Sequence, residues 1–229
     1  AKAHIFWDKQ NKELIYFIEE PKLSQNEKKI FAKIKKGLEE KLETSLGELE
    51  TRTMVLDYLE TKILSILEEL GLRLTESEYK KIMYYVYRDF VGLNEIEPLM
   101  NDPYIEDIGC SGVETPVFVV HSKFGSIKTN LSFENEVLLR NLVVKLAERC
   151  GKYISYAEPL LDGALPDGSR VNASFTRDVT AKGPTFSIRK FNAIPFSAID
   201  LLDLKTVNLD ILAYLWLALQ YRKSILITG

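Results

Sequence analysis

Ser169-Arg170-Val171-Asn172-Ala173-Ser174-Phe175 and Thr185-Phe186-Ser187-Ile188-Arg189-Lys190-Phe191 are the two stretches on which the fold turns. In the first, Val171, Ala173 and Phe175 alternate with Arg170, Asn172 and Ser174. In the second, Phe186 and Ile188 alternate with Thr185, Ser187 and Arg189. Side chains of a strand point to opposite faces in turn, so both runs read as strands with one apolar face and one polar face. Arg177–Pro184, rich in turn formers, joins them. If they pair, one face collects Arg170, Asn172, Ser174, Thr185, Ser187 and Arg189: two guanidinium groups, several small donors and no acid. A planar guanidinium fork offers paired donors to phosphate oxygens, so this face suits a phosphate. The competing reading leaves both arginines in solvent or paired with Asp162, Asp167 or Asp178 from neighbouring loops. Arg177, with Asp178 beside it in the turn, is the weaker candidate.

Upstream, Ile105–Gly109, Val117–His121 and Ile127–Phe133 read as further strands, separated by the breaker Asn101-Asp102-Pro103 and the turn Phe124-Gly125-Ser126. A helix is expected from about Glu134 to Cys150, with Leu138, Leu142, Leu146 and Cys150 in one row and Gly151 as its stop. Strands flanking a helix in this order predict an α+β domain over 93–191.

The first 92 residues read differently. Ala3–Trp7 and Leu14–Ile18 form a predicted hairpin. Ile30, Ile34, Leu38 and Leu42 then mark one helix, and Val55, Leu59, Ile63, Ile66 and Leu70 a second that ends at Gly71. Thr75-Glu76-Ser77-Glu78 opens a third in a capping-box pattern, before Tyr79, Ile82, Met83, Val86 and Phe90. Its aromatic residues read as packing rather than as a stacking platform. After the expected linker Asn192–Pro195, residues 192–229 read as two helices, Asp200–Leu204 and Leu209–Gln220. The polar turn and short apolar strand of Arg222–Thr228 follow, then Gly229. A buried strand running into a glycine is how a phosphate-binding loop begins. Gly229 is thus expected to be the first residue of such a loop, the alternative being an ordinary C-terminal strand. No Gly-Lys-Ser or Gly-Lys-Thr occurs in the 229 residues.

Composition narrows the choice. With 46% apolar and 28% charged residues the chain is ordinary for a globular protein. A formal charge of -3 disfavours a protein that coats nucleic acid. His4 and His121 are the only histidines, and Cys110 and Cys150 are far apart, which disfavours a histidine triad or a metal site built from these residues. The longest apolar stretch, Leu209 to Leu219, is short of the roughly 20 residues that span a bilayer. The N-terminus lacks the apolar core of a signal peptide, so a cytoplasmic protein is expected.

Four segments in order carry a resemblance. Gly92-Leu93-Asn94-Glu95-Ile96-Glu97-Pro98-Leu99-Met100-Asn101-Asp102-Pro103-Tyr104-Ile105-Glu106-Asp107-Ile108 resembles the opening of the N-terminal domain of secretion ATPases. That group comprises the motors of type II and type IV secretion, of type IV pili and of the archaellum. Ala157-Glu158-Pro159-Leu160-Leu161-Asp162-Gly163-Ala164-Leu165-Pro166-Asp167-Gly168-Ser169-Arg170-Val171 is similar to the same family, as are Phe186-Ser187-Ile188-Arg189-Lys190 and Ser224-Ile225-Leu226-Ile227-Thr228-Gly229. The leading hairpin and helices look like the extra N-terminal region of the archaeal branch. The resemblance implies a small PAS-like α/β-sandwich followed by the start of a RecA-like domain. It further implies a homo-hexamer binding ATP and Mg2+ between its two domains, on the inner face of a membrane beside a platform protein. By motif, Arg170 and Arg189 then fall where N-domain arginines reach the terminal phosphates. Against it stand a stand-alone α+β sensor or protein-interaction domain, and a related motor whose cargo is DNA.

Overall fold

The computed structural model describes residues 1–41, 52–191 and 196–228. It divides into two units, Ala1–Phe191 and Asn192–Gly229. The architecture is α+β.

In the first unit the strands β1 (Lys2–Asp8), β2 (Glu13–Glu19), β3 (Ile105–Cys110), β4 (Pro116–His121), β5 (Gly125–Ser132), β6 (Leu160–Ala164), β7 (Arg170–Ser174) and β8 (Thr185–Arg189) form one sheet. Their order is β1-β2-β5-β4-β3-β8-β7-β6. Only the β2–β5 pairing is parallel; the others are antiparallel. The hairpin, grouped with the helices in the reading of the sequence, is therefore hydrogen-bonded into the sheet beside β5, and Tyr16 of β2 lies in its core.

One face of that sheet is closed by the helix α5 (Glu136–Arg149), whose N-cap Asn135 accepts from the Val137 N–H. Its buried residues are Leu139, Leu142, Val143, Leu146 and Ala147, which meet Val171, Phe186 and Ile188. Leu138, expected in the apolar row, is instead 51% exposed. Counting fours from Leu138 follows a row that drifts across the helix face, and the stripe in contact lies one residue further on.

A separate core unites α1 (Gln25–Lys41), α2 (Arg52–Glu69) and α3 (Glu76–Val86) through Ile34, Leu38, Leu59, Ile63, Ile66 and Ile82. The predicted capping box is formed: Thr75 accepts from the Glu78 N–H, and Glu78 accepts from the Thr75 N–H at 2.8 Å. Gly71 has φ 61°, the left-handed stop expected of it. After α3 the chain continues as a π-helical turn, Tyr87–Val91, whose last carbonyls are capped from α5. Lys145 Nζ donates to the Asp89 carbonyl at 2.6 Å, and an Arg149 Nη donates to that of Val91 at 2.6 Å. Burial first, and Arg149 second, pull the Lys145 pKa down to about 8. A short 3-10 turn, Asn94–Ile96, and the helix α4 (Glu97–Met100) lead into β3.

Two elements differ from expectation. β6 was hidden in the Pro159–Gly168 region, where Gly163 and flanking prolines mask a strand that forms because β7 offers it a partner. In the second unit, α6 (Ala198–Asp203) and α7 (Leu209–Gln220) form as expected, with caps at Ser197 and Asn208. The apolar run 224–228 is not a strand, and Leu226 and Ile227 are exposed. A strand is defined by its partners, and no described strand pairs with these residues. The expected linker Asn192–Pro195 and Gly229 lie outside the described residues.

Gly112, between β3 and β4, has φ 133° and lies so close to the 176–183 loop that an added Cβ would stand 2.6 Å from the Lys182 carbonyl oxygen. That carbonyl also accepts from the Val113 N–H at 2.9 Å, so it is fixed in place. Gly112→Ala is expected to cost about 2 kcal/mol or more, combining backbone strain with a backbone clash. Urea unfolding measures it; a loss below about 0.5 kcal/mol would show that the loop is free to move.

Candidate functional site

The open face of the sheet, opposite α5, is where the arginines converge. β7 and β8 pair with Arg170 directly across from Arg189 and Asn172 across from Ser187. Val171, Ala173, Phe186 and Ile188 point the other way, into the core. The alternation in the sequence therefore produces the expected arginine pair. The far end of that face behaves differently: Ser174 is buried, and its hydroxyl bonds those of Thr180 and Thr185 at 3.0 and 2.8 Å. This hydroxyl chain, with Thr180 donating to the Gly183 carbonyl, pins the 176–183 loop at one end of the face. An open groove of about 960 Å³, lined by Asp162, Asn172, Ser187 and Lys182 among others but by neither arginine, runs toward that loop.

The expected absence of acids does not hold. Asp107 of β3 stands opposite Arg189, and Asp162 of β6 opposite Asn172. The Arg189 Nε donates to Asp107 Oδ1 at 3.1 Å, while an Arg170 Nη is 3.6 Å from Asp162 Oδ1. Two like charges directly opposite each other on a sheet repel, and one carboxylate beside each offsets that cost. Asp162 is among the acids the sequence places near the pair; Asp107 is not. An irregularity in the β3–β4 register between Ile105 and Asp107 explains why. Strict alternation places Asp107 on the same side as the buried Ile105. The bulge instead buries Ile105 and Ile108 together and turns Asp107 to the open face. Asp167 is occupied elsewhere, accepting from the Ser169 N–H and hydroxyl.

Arg177 is not brought to the pair. Its Nε donates to Glu136 at 2.7 Å, at the start of α5. Glu136 also accepts from Arg140 at 2.5 Å, and Arg140 and then Arg177 hold its carboxyl below the usual range. Arg140 lies over the rings of Tyr156 and Phe175, 5.7 and 5.6 Å from their centroids. Among the described residues no group of three His, Cys, Asp or Glu side chains could hold a metal ion, and no helix is long and apolar enough to cross a membrane.

No family model matches the chain. Among curated proteins, MJ1288 of Methanocaldococcus jannaschii, described as uncharacterized, is 37% identical over 79% of this chain and 71% of its own length. The chain belongs to the MJ1288 family. MJ0900 of the same organism, also described as uncharacterized, is 37% identical over 99% of the chain. The chain spans 44% of the length of MJ0900. Among solved structures, the VirB11 ATPase of the Brucella suis type IV secretion system, in complex with sulphate, is similar with a TM-score of 0.41 and 19% identity. That match covers 50% of this chain and 34% of VirB11.

Proposed function

We propose that the chain is the arginine-bearing N-terminal part of a secretion-superfamily ATPase motor. In this reading Arg170 and Arg189 close over the terminal phosphates of ATP held by a following RecA-like domain, whose phosphate loop begins at Gly229. That domain supplies the Mg2+ site. The protein works as a homo-hexamer at the inner face of a membrane, and the stroke passes to a platform protein for secretion or for pilus or archaellum assembly. The observation that carries the reading is the register that sets Arg170 against Arg189 on the open face. Two exposed guanidinium groups can stabilise charge developing on a transferred phosphoryl group.

The 229 residues alone are expected to show no ATP turnover above background, because the phosphate-loop lysine and the catalytic base belong to the following domain. The encoded residues beyond Gly229 are expected to supply Gly-Lys-Ser or Gly-Lys-Thr within about seven positions. Hydrolysis by the purified chain, or a continuation without that motif, would sink the proposal.

A second reading is favoured by one observation: both arginines already have carboxylate neighbours. In a nucleotide-independent sensor or interaction domain these pairs would be surface ion pairs, and Arg170→Ala and Arg189→Ala would leave binding of inorganic tripolyphosphate by this chain alone unchanged. A DNA-moving motor is disfavoured by the charge of -3.

A further inference from the structure

Arginine offers three nitrogen positions, and which one a neighbour occupies decides what is left for a ligand. Asp107 takes Nε of Arg189 and leaves both terminal nitrogens, the pair that grips a phosphate in a fork, without a partner among the described contacts. Arg189 is otherwise unsupported, with its side chain 78% exposed. Asp107 is the better anchored of the two: its side chain is 31% exposed, and it sits on a central strand between β4 and β8. The second pair is built differently. Asp162 faces a terminal nitrogen of Arg170 at 3.6 Å, beyond hydrogen-bond distance, and both side chains are about two-thirds exposed. One carboxylate therefore orients its arginine, and the other merely neighbours it.

We propose that Asp107 is a positioning residue for phosphate binding. It holds Arg189 by Nε so that the guanidinium presents its terminal edge beside Arg170 before any ligand arrives. The proposal rests on the phosphate reading of the arginine pair and adds the residue that preorganises it. Preorganisation lowers the ordering cost of binding, which for a long exposed side chain is a sizeable part of the interaction. A ligand reaching Arg189 then has no need to displace Asp107, whereas one reaching Arg170 merely brushes past Asp162.

Two substitutions separate this role from simple charge repulsion. Asp107→Asn keeps an oxygen that can accept from Nε and removes the negative charge. Asp107→Ala removes both. If Asp107 only repelled an anion, both variants would bind inorganic tripolyphosphate more tightly than the natural chain. If it positions Arg189, Asp107→Asn binds as tightly or more so, while Asp107→Ala binds about fivefold more weakly despite losing a negative charge. Titration calorimetry of the full chain with tripolyphosphate reads the affinities. The Arg189 Nε–Hε resonance in ¹⁵N spectra reads the positioning itself, and it is expected to stay protected in Asp107→Asn and to exchange freely in Asp107→Ala. Equal or tighter binding by Asp107→Ala overturns the proposal. So does an Nε–Hε resonance unchanged by Asp107→Ala, or one that exchanges freely in Asp107→Asn, a readout that survives even if Asp107→Ala folds poorly. Arg170→Ala and Arg189→Ala serve as the separate control. If neither weakens tripolyphosphate binding, the phosphate reading fails with everything built on it; if both do and Asp107→Ala does not, only the positioning role fails.

Discussion

Alanine at Arg170 or Arg189, placed in a longer protein that carries this chain with its proposed RecA-like domain, is expected to lower ATP turnover by roughly 10²- to 10⁴-fold. Nucleotide binding is expected to persist, since the phosphate loop would supply most of the ground-state contacts. The asymmetry follows from what an arginine does at a transferred phosphoryl group: charge accumulates on the departing oxygens, and a guanidinium already in place stabilises it without reorganising. Both side chains are exposed in the chain described here, at 70% and 78%. Little folding stability depends on them, so a loss of turnover with an unchanged unfolding midpoint would be a catalytic effect. Lysine at either position should recover only part of the rate, because a point charge lacks the paired donors. Unaltered turnover in both alanine variants removes the arginines from the mechanism. A double variant no worse than either single one shows that the two act as a unit.

The arginine pair was legible in the sequence because period-two alternation and one connecting turn suffice to bring two neighbouring strands face to face. The helical core was legible for a similar reason: the apolar spacings of Ile30–Leu38 and Val55–Ile66 are local, and the Thr75 capping box is a four-residue pattern. Asp107 was not legible, and neither was the strand β6. Both depend on pairings between segments some 80 and 10 residues apart, Asp107 with Arg189 and Leu161 with Ala173. Nothing in the local chemistry of either segment encodes them. For Asp107 a bulge also reverses the face that strict alternation predicts. The same limit explains the hairpin, whose β2 finds β5 across more than a hundred residues, and the apolar run 224–228, which reads as a strand by composition but has no described neighbour to pair with.

Arg88 inverts the case of Arg189, and the difference lies in burial rather than in chemistry. Its side chain is 10% exposed. One Nη donates to both Glu20 oxygens at 3.0 and 2.8 Å, and its Nε donates to Asp89 at 2.7 Å. The guanidinium also lies 4.7 Å from the centre of the Tyr85 ring, while the Tyr84 hydroxyl donates to the same Glu20. Burial by itself would lower the Arg88 pKa, but Asp89 and Glu20 outweigh it and raise it, so the cation is locked in at every accessible pH. Glu20 follows the hairpin and Arg88 follows α3, so the cluster fastens the helical core to the sheet. Arg88→Ala would deprive the partly buried carboxylates of Glu20 and Asp89 of their shared cation, and the expected cost is about 3 kcal/mol. That is a large share of the 5–15 kcal/mol typical of a domain. Replacing the whole cluster, Arg88→Met with Glu20→Gln and Asp89→Asn, should recover much of the loss, because the penalty comes from the orphaned charges rather than from the missing attraction. Urea unfolding gives the size of the effect. Hydrogen exchange gives its location: the amides of α1 to α3 should lose protection before those of the sheet. A loss below about 1 kcal/mol in Arg88→Ala would mean that Glu20 and Asp89 reach water unaided and that this cluster is not what fastens the two cores together.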